Sequence, residues 1–107
     1  MGPAGEPLMS VDLSHMRENR PVLRPRLRLM LQAMLHCTAA RRAKGLALEP
    51  NTGELAADAG LPANACLDAC MALQERGMVV RRSDASFRLT ERGLVELARI
   101  RDERAAR

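Results

Sequence analysis

Thr52-Gly53-Glu54-Leu55-Ala56-Ala57-Asp58-Ala59-Gly60-Leu61-Pro62 begins the stretch that decides the fold, and it runs into a second segment ending Leu73-Gln74-Glu75-Arg76-Gly77. Met78-Val79-Val80-Arg81-Arg82 comes next, then a short hydrophilic turn and Phe87-Arg88-Leu89-Thr90-Glu91-Arg92-Gly93-Leu94. Thr52 suits a helix N-cap, because its hydroxyl can accept from an orphan amide of the first turn. Gly60 supplies the positive φ that ends a short helix, and Pro62 suits the first turn of the next, where its missing N–H costs nothing. In that second helix Cys66, Ala69, Cys70 and Leu73 make an i, i+3, i+4, i+7 stripe, which marks its buried face. Gly77 ends it. A period of two then takes over: Met78 and Val80 on one face, Val79 and Arg81 on the other, with Phe87 and Leu89 opposing Arg88 across the turn. Arg82 to Ser86, with Asp84 central, is the hairpin connection.

Working outward, Pro21 and Pro25 lead into a long helix over about Arg26 to Ala43, with Leu27, Met30, Leu31, Met34, Leu35 and Thr38 at helical spacing, and Gly45 stops it. Leu46-Ala47-Leu48 is expected as a short strand beside the hairpin. On the other side Thr90 caps a last helix over about 91–105, with Leu89 and Leu94 as a hydrophobic staple and Leu97, Ala98 and Arg101 continuing the side that Leu94 begins. Met1 to Arg20 is Pro/Gly-punctuated and polar, with at most a short helical turn near Ser10 to Met16, and is expected to be a mobile arm before one domain over 21–107. The fold class is therefore mainly α with a small β-hairpin: a winged helix-turn-helix at about 52–76 and 78–89, flanked by a long N-terminal helix and a C-terminal helix. That order of elements puts one helix in a DNA major groove and the hairpin beside the backbone or minor groove.

Composition narrows the function further. At 107 residues and 47% hydrophobic there is room for one core, built from Leu, Met, Ala and Val because Phe87 is the sole aromatic residue. The scarcity of aromatics argues against binding single strands by base stacking. Three cysteines and no leader-like apolar run at the N-terminus fit reduced thiols and a cytoplasmic setting rather than a disulfide framework. Leu27 to Ala40 is too short to span a bilayer and is broken by Arg28, Gln32 and His36, so no membrane partner is expected.

The net charge of +4 hides a segregation. Residues 17–44 hold eight basic groups against Glu18, whereas residues 45–75 hold no Lys or Arg but five acids: Glu49, Glu54, Asp58, Asp68 and Glu75. Residues 76–107 return to nine basic groups and five acids. A basic balance points to nucleic acid, yet it sits on the flanks of the motif and not on the helix that would enter a groove.

Glu54-Leu55-Ala56 with Gly60-Leu61, the Leu73-x-x-x-Gly77 helix end and Leu89-Thr90-x-x-Gly93 together resemble bacterial winged-helix transcriptional regulators of the MarR and PadR type, over roughly residues 46–94. The resemblance implies that the exposed first half of the second helix reads base edges. The positions are Ala63, Asn64, Leu67 and Asp68, with Met71 further along. Asn64 suits a bidentate contact to adenine, Leu67 a thymine methyl, and Asp68 a cytosine amino group, although phosphate repels Asp68. The bland reading makes Asn64 a good first-turn residue and turns Leu67 and Met71 towards another protein. Arg81, Arg82 and Arg88 on the wing, and Arg41, Arg42 and Lys44 at the end of the long helix, suit phosphates and narrow minor grooves. Their alternative is a solvated basic face in a chain of sixteen arginines and one lysine.

Duplex DNA is thus the expected partner, bound by a homodimer that pairs through Leu27, Leu31, Leu94 and Leu97. The competing reading is a protein-interaction module whose acidic and apolar second helix faces a partner. Cys66 and Cys70 fall on the core stripe, which favours packing over a thiolate metal site, and His36-Cys37 lies in the first helix. No nucleophile–base spacing, phosphate-binding glycine loop or carboxylate pair appears, so no enzyme, metal or cofactor is expected.

Overall fold

The computed structural model describes residues 23–106, so the arm over 1–20 and the turn near Ser10 to Met16 lie outside the described residues. Four helices and one hairpin follow in order: α1 (Pro25–Ala43), α2 (Thr52–Ala59), α3 (Ala63–Glu75), β1 (Val79–Ser83), β2 (Ser86–Leu89) and α4 (Glu91–Ala105). This is a winged helix-turn-helix. Among the described residues, no helix is long and apolar enough to cross a membrane.

Pro25 occupies the first turn of α1, where an N–H has no intrahelical partner, and its fixed φ starts the helix. Leu27, Met30, Leu31, Ala33, Met34 and Cys37 are buried, and Leu35 is 39% exposed. The inward face is therefore rotated towards Ala33 and Cys37 relative to the sequence expectation, because α2 and α3 both pack on that side. Gly45, at φ 70°, reverses the chain at the helix end, and Leu46 N–H donates to the Arg41 carbonyl at 2.9 Å.

The N-cap of α2 is Asn51, not Thr52. Asn51 Oδ1 accepts from Glu54 N–H at 2.8 Å, and a Glu54 carboxylate oxygen accepts from Asn51 N–H at 3.1 Å, a reciprocal capping box. Thr52 N–H is used elsewhere and donates to the Ala85 carbonyl at 2.8 Å. Gly60 ends α2 at φ 69°, as its position implies. Pro62 stands at the N-cap of α3, one residue earlier than expected, and Cys66, Ala69, Cys70 and Leu73 are the buried stripe.

The wing pairs antiparallel with Val79 opposite Leu89, Val80 opposite Arg88 and Arg81 opposite Phe87; the register then slips between Arg81 and Ser83, so Ser83 meets Ser86. Its connection is shorter than the expected Arg82–Ser86, with Asp84 and Ala85 between the strands. Val79 and Phe87 face the core, while Val80 and Arg88 face outward. Leu46-Ala47-Leu48 forms no strand. Beside β2 there is instead a single bridge between Asn51 and Ser86, with Phe87 N–H donating to the Pro50 carbonyl at 3.1 Å. Pro50 has no N–H to extend the ladder and Asn51 has given its own to Glu54, so pairing stops after one bridge.

Thr90 ties four elements together. Its hydroxyl donates to the Gly77 carbonyl at 2.6 Å and accepts from Gly93 N–H at 3.1 Å, and its own N–H donates to the Met78 carbonyl at 3.1 Å. α4 thereby comes so close to the start of the wing that a Cβ on Gly93 would overlap the Met78 carbonyl oxygen. This approach turns Gly93, Glu96, Leu97 and Ile100 inward and leaves Leu94 50% exposed, correcting the expected face. Glu96 is buried at that interface and pairs with Arg99, which also pairs with Glu103; Glu103 in turn reaches Arg28 on α1 at 3.6 Å.

Helix propensity alone would make Gly93→Ala stabilising by about 1 kcal/mol. The overlap with backbone, which cannot swing aside, costs about 1–3 kcal/mol or more, so the substitution is expected to lower the denaturation midpoint. A raised midpoint in urea would show that α4 sits further from the wing.

Candidate nucleic-acid interface

At 3.6 residues per turn, Asn64, Asp68, Met71 and Glu75 fall on one stripe of α3, opposite the buried cysteines. Ala63, Asn64 and Asp68 are exposed, whereas Leu67 and Met71 are half-buried and pack against the core. The stripe can therefore present an amide at its N-terminal end, a carboxylate one turn on and a second carboxylate, Glu75, at its C-terminal end. Its two larger apolar residues are partly spent within the chain.

The wing is fixed beside this stripe through α3 itself. Gln74 Oε1 accepts from Arg81 N–H at 2.7 Å. The Arg81 guanidinium folds back over the Phe87 ring, 5.9 Å from its centroid, and donates to the Ser83 carbonyl at 3.2 Å and to the Asp84 carbonyl, with the Met71 sulfur 3.9 Å away. Arg81 is on the inward face of the hairpin, so it braces the wing tip. Arg82 and Arg88 face the other way, each about half exposed, and lie 3.2 Å and 4.0 Å from the same Glu49 carboxylate oxygen.

The cations at the end of α1 divide in the same manner. Arg41 grips Glu54 through Nε, at 3.0 and 3.1 Å, and through Nη2, at 2.7 Å; its Nη1 donates to the Ala47 carbonyl at 3.1 Å. Arg42 and Lys44 are exposed, and neither has an ion-pair partner among the described residues. The Arg41 guanidinium holds the Glu54 carboxyl below the usual carboxylate range, with Asn51 N–H helping and partial burial opposing. His36 Nδ1 stands 3.1 Å from Asp58 across α1 and α2. Three of the five acids of the basic-free segment are thus paired inside the chain.

The dimerisation residues separate too. Leu27 and Leu31 belong to the chain's own core, being 7% and 0% exposed, because α1 must cover α3 within one chain. Leu97 is 9% exposed, and Leu94 remains open. Leu35 and Leu94 line a groove between α1 and α4 of about 430 Å³, floored by Leu97, Ala98 and Ile100. Leu35 and Leu94 continue into a second recess with Leu48 and Leu89. All three cysteines are free and buried; burial pushes the Cys70 thiol up to about 12 and raises Cys66 and Cys37 as well. Among the described residues no three His, Cys, Asp or Glu side chains converge as a metal-holding group.

Sequence reasoning did not find Asn51, Glu49 and Glu54 as the residues that place the wing and its neighbours. Asn51-x-x-Glu54 was a readable capping-box signal. Nothing local marked Glu49 as the partner of arginines more than thirty positions away.

No model of a known protein family matches the sequence, and no curated protein matches it. Among solved structures the chain is similar to a MarR family protein from Bacillus stearothermophilus, with a TM-score of 0.63 and 18% identity over 94% of this chain and 71% of that one. At that identity the likeness carries the fold.

The lowered Glu54 value sets a pH dependence. A carboxyl held below its unfolded value of about 4.5 adds stability at neutral pH and loses it as the pH falls through the lowered native value. Glu54→Gln should therefore be less stable than the parent at pH 7, and the gap should close under acid. Asn51→Ala should cost about 1 kcal/mol through the lost cap. A constant Glu54→Gln deficit from pH 7 to pH 3 would show that the pair contributes no charge-dependent stability.

Proposed function

We propose that this chain is a duplex DNA-binding transcriptional regulator that docks the exposed stripe of α3 in the major groove and sets the wing against the backbone. The observation that carries the reading is the placement of α3: Ala63, Asn64 and Asp68 are open to solvent, and the hairpin beside them turns Arg82 and Arg88 outward. Arg42 and Lys44 add cations that the fold leaves unpaired among the described residues. Arg82 and Arg88 share one acid, so the pair keeps a net positive charge for phosphate. Arg41 and Arg81 act in this reading by positioning, the first through α2 and the second through the wing tip.

The protein-interaction reading relied on an acidic and apolar α3. It loses ground because Leu67 and Met71 pack on the core, while Asp68 and Glu75, the acids of α3 itself, stay exposed and without an ion-pair partner among the described residues. Asn64 reads adenine in the proposed complex, and Asp68 opposes phosphate wherever no cytosine amino group meets it.

Duplex binding should fall steeply with salt, because each neutralised phosphate releases condensed counterion, with a slope near 0.9 per contact in a log–log plot. Arg88→Ala, Arg42→Ala and Lys44→Ala should weaken binding to all sequences and flatten that slope. Asn64→Ala should cost about 1–3 kcal/mol on a preferred site alone, and Asp68→Ala should strengthen binding to random duplex. Anisotropy titrations over a salt series check all four, and no binding at low salt would sink the reading.

The proposed active form is a homodimer joined along the α1–α4 groove through Leu35 and Leu94, since two half-sites would add where one monomer reads weakly. Sedimentation should show twice the mass of 11.8 kDa at micromolar concentration. Leu94→Asp should shift it to monomer without unfolding, because that side chain is half exposed. A monomer at high micromolar concentration would remove the two-half-site argument.

A further inference from the structure

Pro25 sends α1 across the face of α3, and in doing so it carries Arg24 and Arg26 to the same cleft as the C-cap of α3. Both are exposed and line an open cleft of about 340 Å³ together with Leu27, Asp68, Ala69, Ala72 and Arg76. Arg24 and Arg26 come from the start of α1 and Arg76 from the C-cap of α3, fifty residues on in sequence. Among the described residues, none of the three guanidinium groups has an ion-pair partner within 4.0 Å, and neither has Asp68. Three unpaired cations therefore surround one carboxylate, and the cleft is net positive.

Its position relative to α3 is informative. Gln74, on one side of the exposed stripe, holds the wing, and Met71 touches Arg81 there. Ala72 and Arg76, on the other side, line the cleft. The stripe of Asn64, Asp68 and Glu75 is thus bracketed by the wing on one flank and by Arg24, Arg26 and Arg76 on the other. A helix inserted in a major groove about 12 Å wide has a phosphate rim on each side.

We infer that Arg24, Arg26 and Arg76 form a second backbone-binding site, which grips the phosphate rim on the side of α3 away from the wing and screens Asp68 at that rim. This rests on the duplex-DNA reading of α3 and adds to it a two-sided clamp. With phosphates held on both flanks, the helix is fixed in rotation as well as depth, which is what a stripe carrying one amide and the two carboxylates of Asp68 and Glu75 needs for its few base contacts to meet the same base pair each time. The guanidinium fork suits phosphate bidentately, and long flexible side chains at an open cleft can reach it without rearranging the core.

The test compares the full chain with Arg24→Ala/Arg26→Ala and with Arg76→Ala on a random 20-base-pair duplex from low to moderate salt. Arg92→Ala, an exposed arginine at the start of α4 outside both the cleft and the α1–α4 groove, serves as control, and thermal melting checks that each variant folds. The double variant should weaken binding at least several-fold and reduce the salt slope by about 0.9 for each phosphate lost. Arg24→Lys/Arg26→Lys should retain most of the slope, and Arg92→Ala all of it. Hydroxyl-radical footprinting should show protection on both rims of one major groove for the parent, and on the wing-side rim alone for the double variant. If the parent binds, and the slope responds to Arg88→Ala and Arg42→Ala but not to the cleft variants, the second site is overturned while the duplex reading stands. If the parent fails to bind duplex at low salt, both fall together.

Discussion

Glu54 accepts three demands at once: the Asn51 N–H of its capping box, the Arg41 guanidinium from the end of α1, and the geometry of the first turn of α2. Because Asn51 also bridges to Ser86, the carboxylate connects the long helix, the helix-turn-helix and the wing. Each bond is modest, and a partly exposed ion pair contributes little by itself. Their value lies in fixing relative positions: were Glu54 to let go, α2 would lose half of its capping box, Arg41 would lose its carboxylate, and Asn51, bridged to Ser86 of β2, would lose an anchor. The open surface of α3 and the outward face of the wing keep their spacing because of this junction and the Thr90 junction opposite it.

Charge segregation along the chain takes on a different meaning once the chain is folded. The acidic stretch of residues 45–75 is divided, because Arg41 and Arg82 reach across to Glu54 and Glu49 and His36 lies beside Asp58, whereas Asp68 and Glu75 stay exposed on α3. The same pairings withdraw cations from the pool that a one-dimensional count would assign to DNA. Among the described residues, Arg42 and Lys44 at one corner, and Arg24, Arg26 and Arg76 at another, are cations that find no internal ion and remain for a partner. The proposed interface is built from these remainders and from the wing arginines that share a single carboxylate.

The Thr90 junction shows how small side chains decide helix orientation. Gly93 lets α4 approach the Met78 carbonyl, and that closeness decides which residues of α4 turn inward. Glu96 goes in with Leu97 and Ile100, and its burial is made tolerable by Arg99 beside it. Leu94 is left outside next to Leu35, so the apolar surface available to a second copy arises as a consequence of this rotation.

By itself the sequence determined the local grammar: glycines that end helices at Gly45, Gly60 and Gly77, the period-four stripe of Cys66, Cys70 and Leu73, the period-two hairpin, and the cap at Thr90. These features depend on backbone sterics and on bonds between near neighbours, so they are legible without a fold. Even the one misplaced cap was written locally, in Asn51-x-x-Glu54. The sequence also marked the exposed start of α3, Ala63, Asn64 and Asp68, as a candidate surface. Only the tertiary structure decided which way each arginine faces. Arg41 and Arg81 look the same in sequence as Arg42 and Arg82, but packing turns the first pair inward to a carboxylate and to carbonyls and leaves the second pair outward. The burial of Leu27 and Leu31, the exposure of Leu94 and the cleft around Asp68 are likewise properties of how helices cross. A crossing depends on contacts between residues dozens of positions apart, which no local pattern encodes.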